Sequence, residues 1–178
     1  NPIEKFSIYK LNGQKRTDFS IFLEPKSSFR SFKNSSVEVL TNLKGYKADE
    51  IQKAIAIDNV VTFTNNLIGK SQFEKITVSQ ADYDRNPFYG LNQMPAFLVP
   101  FPDEFLFEIK FLKTYLNNYL KNNLKLDPRK DNWIYDGIQV YTMMRYIEEN
   151  YPDINMTGRI SSFKLFKGFH LLNLDFNE

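Results

Sequence analysis

The sequence predicts an α+β fold, a β-rich N-terminal segment followed by a part built on two long packed helices. Three observations carry this. Apolar and polar residues alternate with the two-residue period of a half-buried strand mainly within residues 1–45. Beyond Gly45 the apolar spacing lengthens to that of helices. The last two long helical runs are separated only by "KLDPRKDN", Lys125–Asn132, a connector short enough to fold one helix back on the other. The chain is therefore divided at residues 1–45 and 46–178.

The elements follow in order. "KFSIYK" and "DFSIFLE" alternate around the turn-forming "LNGQ", and "SVEVLTNL" repeats the pattern. Residues 48–69 form the first helix, with acids in the first turn, an apolar stripe of Ile51, Ala54, Ile55, Val61 and Ile68, and a stop at Gly69. "KITVSQADY" reads as a strand, and the Pro-, Gly- and Asn-containing residues 82–100 as a loop. Pro102 opens a second helix in its first turn, followed by Asp103 and Glu104, that runs to about Leu124. Its stripe is Phe105, Ile109, Leu112, Leu116 and Tyr119 or Leu120. A third helix spans about Ile134 to Asn150; after the Pro152 turn, Ser161–Leu174 starts as a further helix.

Composition narrows the chemistry. The 178 residues, 42% hydrophobic and including 17 Phe, 10 Tyr and one Trp, suffice for one domain with a good core. Lys and Arg number 23 against 21 Asp and Glu, with the signs interspersed, so charge gives no case for a nucleic-acid or anionic-membrane partner. "KSSFRSFK", Lys26–Lys33, could hold a nucleic-acid strand by charge and stacking, but a solvated strand and turn is the favoured reading. Without Cys, disulfides and thiolate metal sites are excluded, and His170, the sole His, cannot build a multi-imidazole zinc site alone. No apolar run is long enough to span a bilayer. The chain opens on Asn and closes on "LDFNE", so it is expected to be a fragment or a processed product.

Asp136, in "NWIYDGIQVY", poses a sharper question. Near a helix start a carboxylate offsets the helix dipole, which alone would explain it. It also falls in line with Val140, Met143 and Ile147, a placement that turns it toward the packed side, where a carboxylate needs a partner. Eighteen residues separate it from Asn117, and four before that is Lys113, one turn away on the same helix face.

With these spacings the chain resembles the aminopeptidase N-type gluzincin metallopeptidases. In that family a strand leads into a Gly-Ala-Met-Glu-Asn loop that anchors the substrate's amino end. A helix with His-Glu-x-x-His follows, then, eighteen residues on, a Trp-Leu-x-Glu-Gly helix with the third zinc ligand. Here "GLNQM", Gly90–Met94, holds the loop position, "WIYDG", Trp133–Gly137, with Tyr141 beyond it matches the third-ligand motif, and Asn122 falls where the family commonly has Asn. The likeness covers roughly residues 45–150 and is greatest to a divergent bacterial branch. It implies a thermolysin-like fold for residues 46–178, with residues 1–45 ending an N-terminal β domain or starting the catalytic lobe.

The resemblance also implies that the chemistry is lost. Lys113 stands at the first His, Thr114 at the general-base Glu, Asn117 at the second His, Asp136 at the third-ligand Glu and Gln93 at the amine-anchoring Glu. An ammonium repels a metal cation, an amide is a poor zinc ligand and a threonine hydroxyl is no base near neutral pH. The expectation is a pseudoenzyme without zinc or another cofactor, with no catalytic residue among Lys113, Thr114, Asn117 and Asp136. Gly90, Leu91, Asn92 and Gln93 are left to bind an extended peptide, and a peptide or protein partner is expected.

Lys113 is expected to replace the metal by pairing with Asp136; the alternative has Lys113 reaching solvent and Asp136 capping its helix. Removing one partner of a buried pair costs about 3–5 kcal/mol, against about 0–1 kcal/mol for an exposed one, so burial decides the consequence. Two other functions stay open: an active metallopeptidase whose site is completed outside this chain, and a structural or assembly protein; His170, Asp175 and Glu178 suggest a further site, but a lone His beside "LLNLDF" reads rather as a packed or surface histidine. The resemblance weakly favours an exported, periplasmic or cell-envelope bacterial setting.

Overall fold

In a computed structural model, residues 8, 10, 12, 29–45, 47–88, 101–124, 126–127 and 129–152 are described. They form a mixed α+β unit with a three-stranded sheet and four helices. The elements are β1 (Arg30–Lys33), β2 (Glu38–Thr41), α1 (Glu50–Ile68), β3 (Lys75–Val78), α2 (Gln80–Arg85), α3 (Asp103–Asn123) and α4 (Asn132–Asn150). The expected strand "DFSIFLE", all of "KFSIYK" but Ile8 and Lys10, the loop Gly90–Gln93, the segment Ser161–Leu174 with His170, and Asp175 and Glu178 beyond it lie outside the described residues.

The sheet order is β1-β2-β3. β1 and β2 pair antiparallel from Arg30 opposite Thr41 to Lys33 opposite Glu38. The Asn34 side chain shapes the turn between them by accepting from the Ser36 backbone N–H at 3.0 Å and the Ser36 hydroxyl at 2.9 Å. β2 and β3 run parallel, Glu38 opposite Lys75, so the chain must cross over between them, and α1 makes that crossing. Residues from both sides of Gly45 thus share one sheet. The charged stretch around β1 is the exposed edge, where Arg30 pairs with Glu50 at 2.9 Å.

α1 begins at an N-terminal box in which Asp49 accepts from the Gln52 N–H at 2.8 Å while Gln52 accepts from the Asp49 N–H at 3.3 Å. It ends at Gly69, whose φ of 103° suits glycine. The face it buries overlaps the predicted one only in part: Val61 is buried and Ile68 packs against the core as expected, but Ala56, Ile57, Val60 and Thr64 are also inside while Ile51 and Ile55 are exposed. The sequence is apolar on more than one side here, so periodicity alone could not choose.

β3 stops at Val78 rather than continuing through "SQADY". The Ser79 hydroxyl accepts from the Asp82 N–H at 3.0 Å and starts the short helix α2, a start signal that the strand prediction passed over. Beneath lies the core: Val39, Ile76 and Val78 from the sheet, the inner face of α1, and most of α3. No helix among the described residues is long and apolar enough to cross a membrane.

α3 and α4 close a helical hairpin. Their side-chain pairs, Glu108 with Tyr146 and Lys113 with Gln139, follow one antiparallel register. The connector is tied down by the Tyr135 hydroxyl donating to the Leu126 carbonyl at 3.1 Å and by Asp131 accepting from the Asp127 N–H at 3.1 Å. α4 starts two residues earlier than predicted, at Asn132, which puts Asp136 in the second turn, beyond the reach of a terminal cap.

Candidate functional site: the seam between α3 and α4

Lys113 is buried, only 6% exposed, at the middle of the hairpin. Its Nζ donates to Gln139 Oε1 at 3.5 Å, and Gln139 Nε2 donates back to the Lys113 carbonyl at 3.0 Å. This reciprocal link is the polar contact that joins the two helices at mid-length. Burial pushes the Lys113 amine below its ordinary pKa, and the Asp136 carboxylate opposes that push.

The expected Lys113–Asp136 ion pair is not formed. Asp136 is exposed, and its Oδ2 accepts from Asn132 Nδ2 at 2.9 Å, one turn back along α4. The wheel turned Asp136 toward the packed side with Met143 and Ile147, but in the structure its side chain is exposed, at the margin of the buried face close to the α3–α4 connector. Its charge still acts on Lys113 at longer range. The antiparallel register sets half-buried Asn117 level with Asp136. Thr114 is buried, and its hydroxyl donates to the Lys110 carbonyl of its own helix at 2.9 Å.

These residues do not suit a zinc ion. The amine of Lys113 is a cation committed to Gln139, Thr114 is committed to its own backbone, and Asp136 is held by Asn132. Among the described residues no group of three or more His, Cys, Asp or Glu could hold a metal.

A second polar group along the same seam was not anticipated. Glu108 is buried, and its Oε2 accepts from the Tyr146 hydroxyl at 2.5 Å and the Tyr151 hydroxyl at 2.7 Å. Burial raises the Glu108 pKa, the two hydroxyl donors oppose this, and nearby Glu104 adds to the rise. Phe105 packs edge-on against Tyr151 and Phe63 against Tyr146, so aromatic rings wall the carboxylate. A signal was present in the sequence: Glu108 interrupts the apolar face between Phe105 and Leu112. A carboxylate there requires donors, and tyrosines on the facing helix supply them.

Comparison of the chain with protein-family models, with curated proteins and with solved structures finds no match.

Proposed function

We propose that the chain is a non-catalytic relative of the aminopeptidase N-type zinc metallopeptidases, part of a thermolysin-like domain kept for its fold and its peptide-accommodating cleft. The observation that carries the proposal is the buried ammonium of Lys113 between α3 and α4. By the motif spacing, that is where a metal-binding relative would set its first ligand. A fixed positive charge there disfavours a divalent cation and, through Gln139, supplies the cross-link between helices that a shared metal would otherwise provide. The antiparallel packing of α3 on α4, which the third-ligand motif needs, also supports the reading.

In this role the segment Gly90–Gln93 offers backbone groups to an extended peptide, which adds as a strand while hydrolysis is absent. The test is a reconstruction, Lys113→His, Thr114→Glu and Asn117→His combined with Asp136→Glu. Zinc uptake by this variant and none by the parent supports descent from a zinc scaffold. A reconstructed protein that folds and still takes up no zinc counts against it, as does peptidase activity in the purified parent.

A further inference from the structure

α4 has two apolar sides. Tyr135, Met143, Tyr146 and Ile147 face the core. On the opposite side Trp133, Tyr141 and Met144 are 69%, 55% and 46% exposed, although each is large and apolar. They fall with Gly137 at helical spacings of four, four and three residues, forming one line directly opposite the core side. A surface helix ordinarily carries polar residues there. At Gly137 a Cβ would meet nothing within 4 Å, so the line contains a notch between two aromatic side chains. Helical glycine costs about 1 kcal/mol relative to alanine, so the notch comes at the expense of helix propensity.

We infer that this face binds the same face of a second copy of the chain, as an antiparallel α4–α4 pair about a twofold axis. The sequence of the helix points to this occupant in two ways. A twofold pair needs a self-complementary surface, and a knob four residues from a notch is one: Tyr141 of each copy enters the Gly137 notch of the other. That register is fixed by the aromatic and the glycine alone, and it can then be checked against the charges. It brings Arg129 and Lys130, just before α4, level with Glu149 and Glu148 at the far end of the other copy's helix. It also sets Trp133 beside Met144 and Arg145, favourable partners for an indole.

All four charged end residues are exposed. Glu148 and Glu149 now pair with Arg145 of their own helix at 3.0 and 2.8 Å, but exposed pairs of this kind are weak and readily exchanged. A single helix pair is smaller than the roughly 800 Å² per partner of a standard interface, so a weak, reversible dimer that dissociates at micromolar concentrations or above is expected.

Sedimentation equilibrium of the 178-residue chain across that concentration range tests the inference. A reversible monomer–dimer equilibrium is expected. Gly137→Leu fills the notch and should weaken the dimer at least about tenfold while leaving the fold's melting temperature unchanged or higher. The decisive measurement uses two charge-reversed chains, one carrying Arg129→Glu and Lys130→Glu, the other Glu148→Lys and Glu149→Lys. Each alone should be monomeric, because its two ends then repel their twofold mates, whereas an equimolar mixture should form a heterodimer. A wild-type chain that stays monomeric overturns the inference, whether another segment of the chain or a different protein covers the face. So does a dimer indifferent to Gly137→Leu, or a mixture that fails to associate.

Discussion

α3 and α4 are nearly equal in length and lie side by side, yet they are different kinds of helix. Twelve of the 21 residues of α3 are buried, on every side, whereas α4 buries six of 19 along one face. α3 is the axis of the core: Phe107, Phe111, Tyr115 and Tyr119 stack in a ladder with ring centroids about 6 Å apart, and the apolar stripe from Phe105 to Leu120 fills another face. α4 is a cover, joined to α3 by two polar links set into an otherwise apolar seam. Apolar packing around α3 is thus the main source of stability, and the polar links penalise any shift of α4 that would leave their buried groups unpartnered.

The sharpest way to break the comparison is to damage the axis. Phe111→Ala removes the middle of the aromatic ladder and is expected to cost about 3–5 kcal/mol in urea unfolding, against under about 1 kcal/mol for an exposed α4 side chain such as Tyr141. Next comes the Glu108 link. Glu108→Ala leaves the Tyr146 and Tyr151 hydroxyls without their acceptor and should cost about 2–3 kcal/mol.

Glu108→Gln keeps an acceptor and removes the buried charge, so its effect depends on pH. Because the folded-state pKa of Glu108 is raised, the native chain binds the extra proton. The contribution of this group to stability is therefore fullest below the unfolded value of about 4.3 and is lost as pH rises through the folded value. The wild type should lose stability relative to Glu108→Gln across that interval, and urea midpoints at a series of pH values would register it.

Lys113 sharpens the comparison in the opposite direction. Its amine is buried with only an amide for a close partner, so Lys113→Met relieves the burial of a charge but leaves Gln139 Oε1 without a donor; the two offset, and the net change should stay within about 1 kcal/mol. The lowered folded pKa means that wild-type stability recovers as pH rises from the folded value toward about 10.4, so the wild type should gain on Lys113→Met there. The smallest effect is expected at Asp136: Asp136→Asn on the exposed side should change stability by less than about 0.5 kcal/mol.

The sequence announced α3 and α4 well, because Pro102, Asp103 and Glu104 mark a start and the connector forces a hairpin. It set Val61 and Ile68 of α1 rightly on the packed side but misplaced Ile51 and Ile55, which are as apolar as the residues that pack, so that only the tertiary position decides among them. It passed over α2, whose six residues are too few for periodicity to register. Of the candidate site, only the nearness of Lys113 to α4 was legible from spacing. Its partner was not: Gln139 rather than Asp136 meets the amine because of the relative shift of two helices, a tertiary quantity that no single helical wheel contains.

The account rests on a seam between α3 and α4 closed by its own side chains, at the position where the proposed zinc-binding relatives would hold a metal, and thermal unfolding with and without added zinc tests that most directly. The melting temperature should stay within about 1 °C in a large excess of zinc, and a chelator should leave it unchanged, since a chain that does not bind the ion gains nothing from it. A native site at about 100 times its Kd would add about 2.7 kcal/mol and raise the melting temperature by several degrees. Such a rise, reversed by the chelator, would contradict the account.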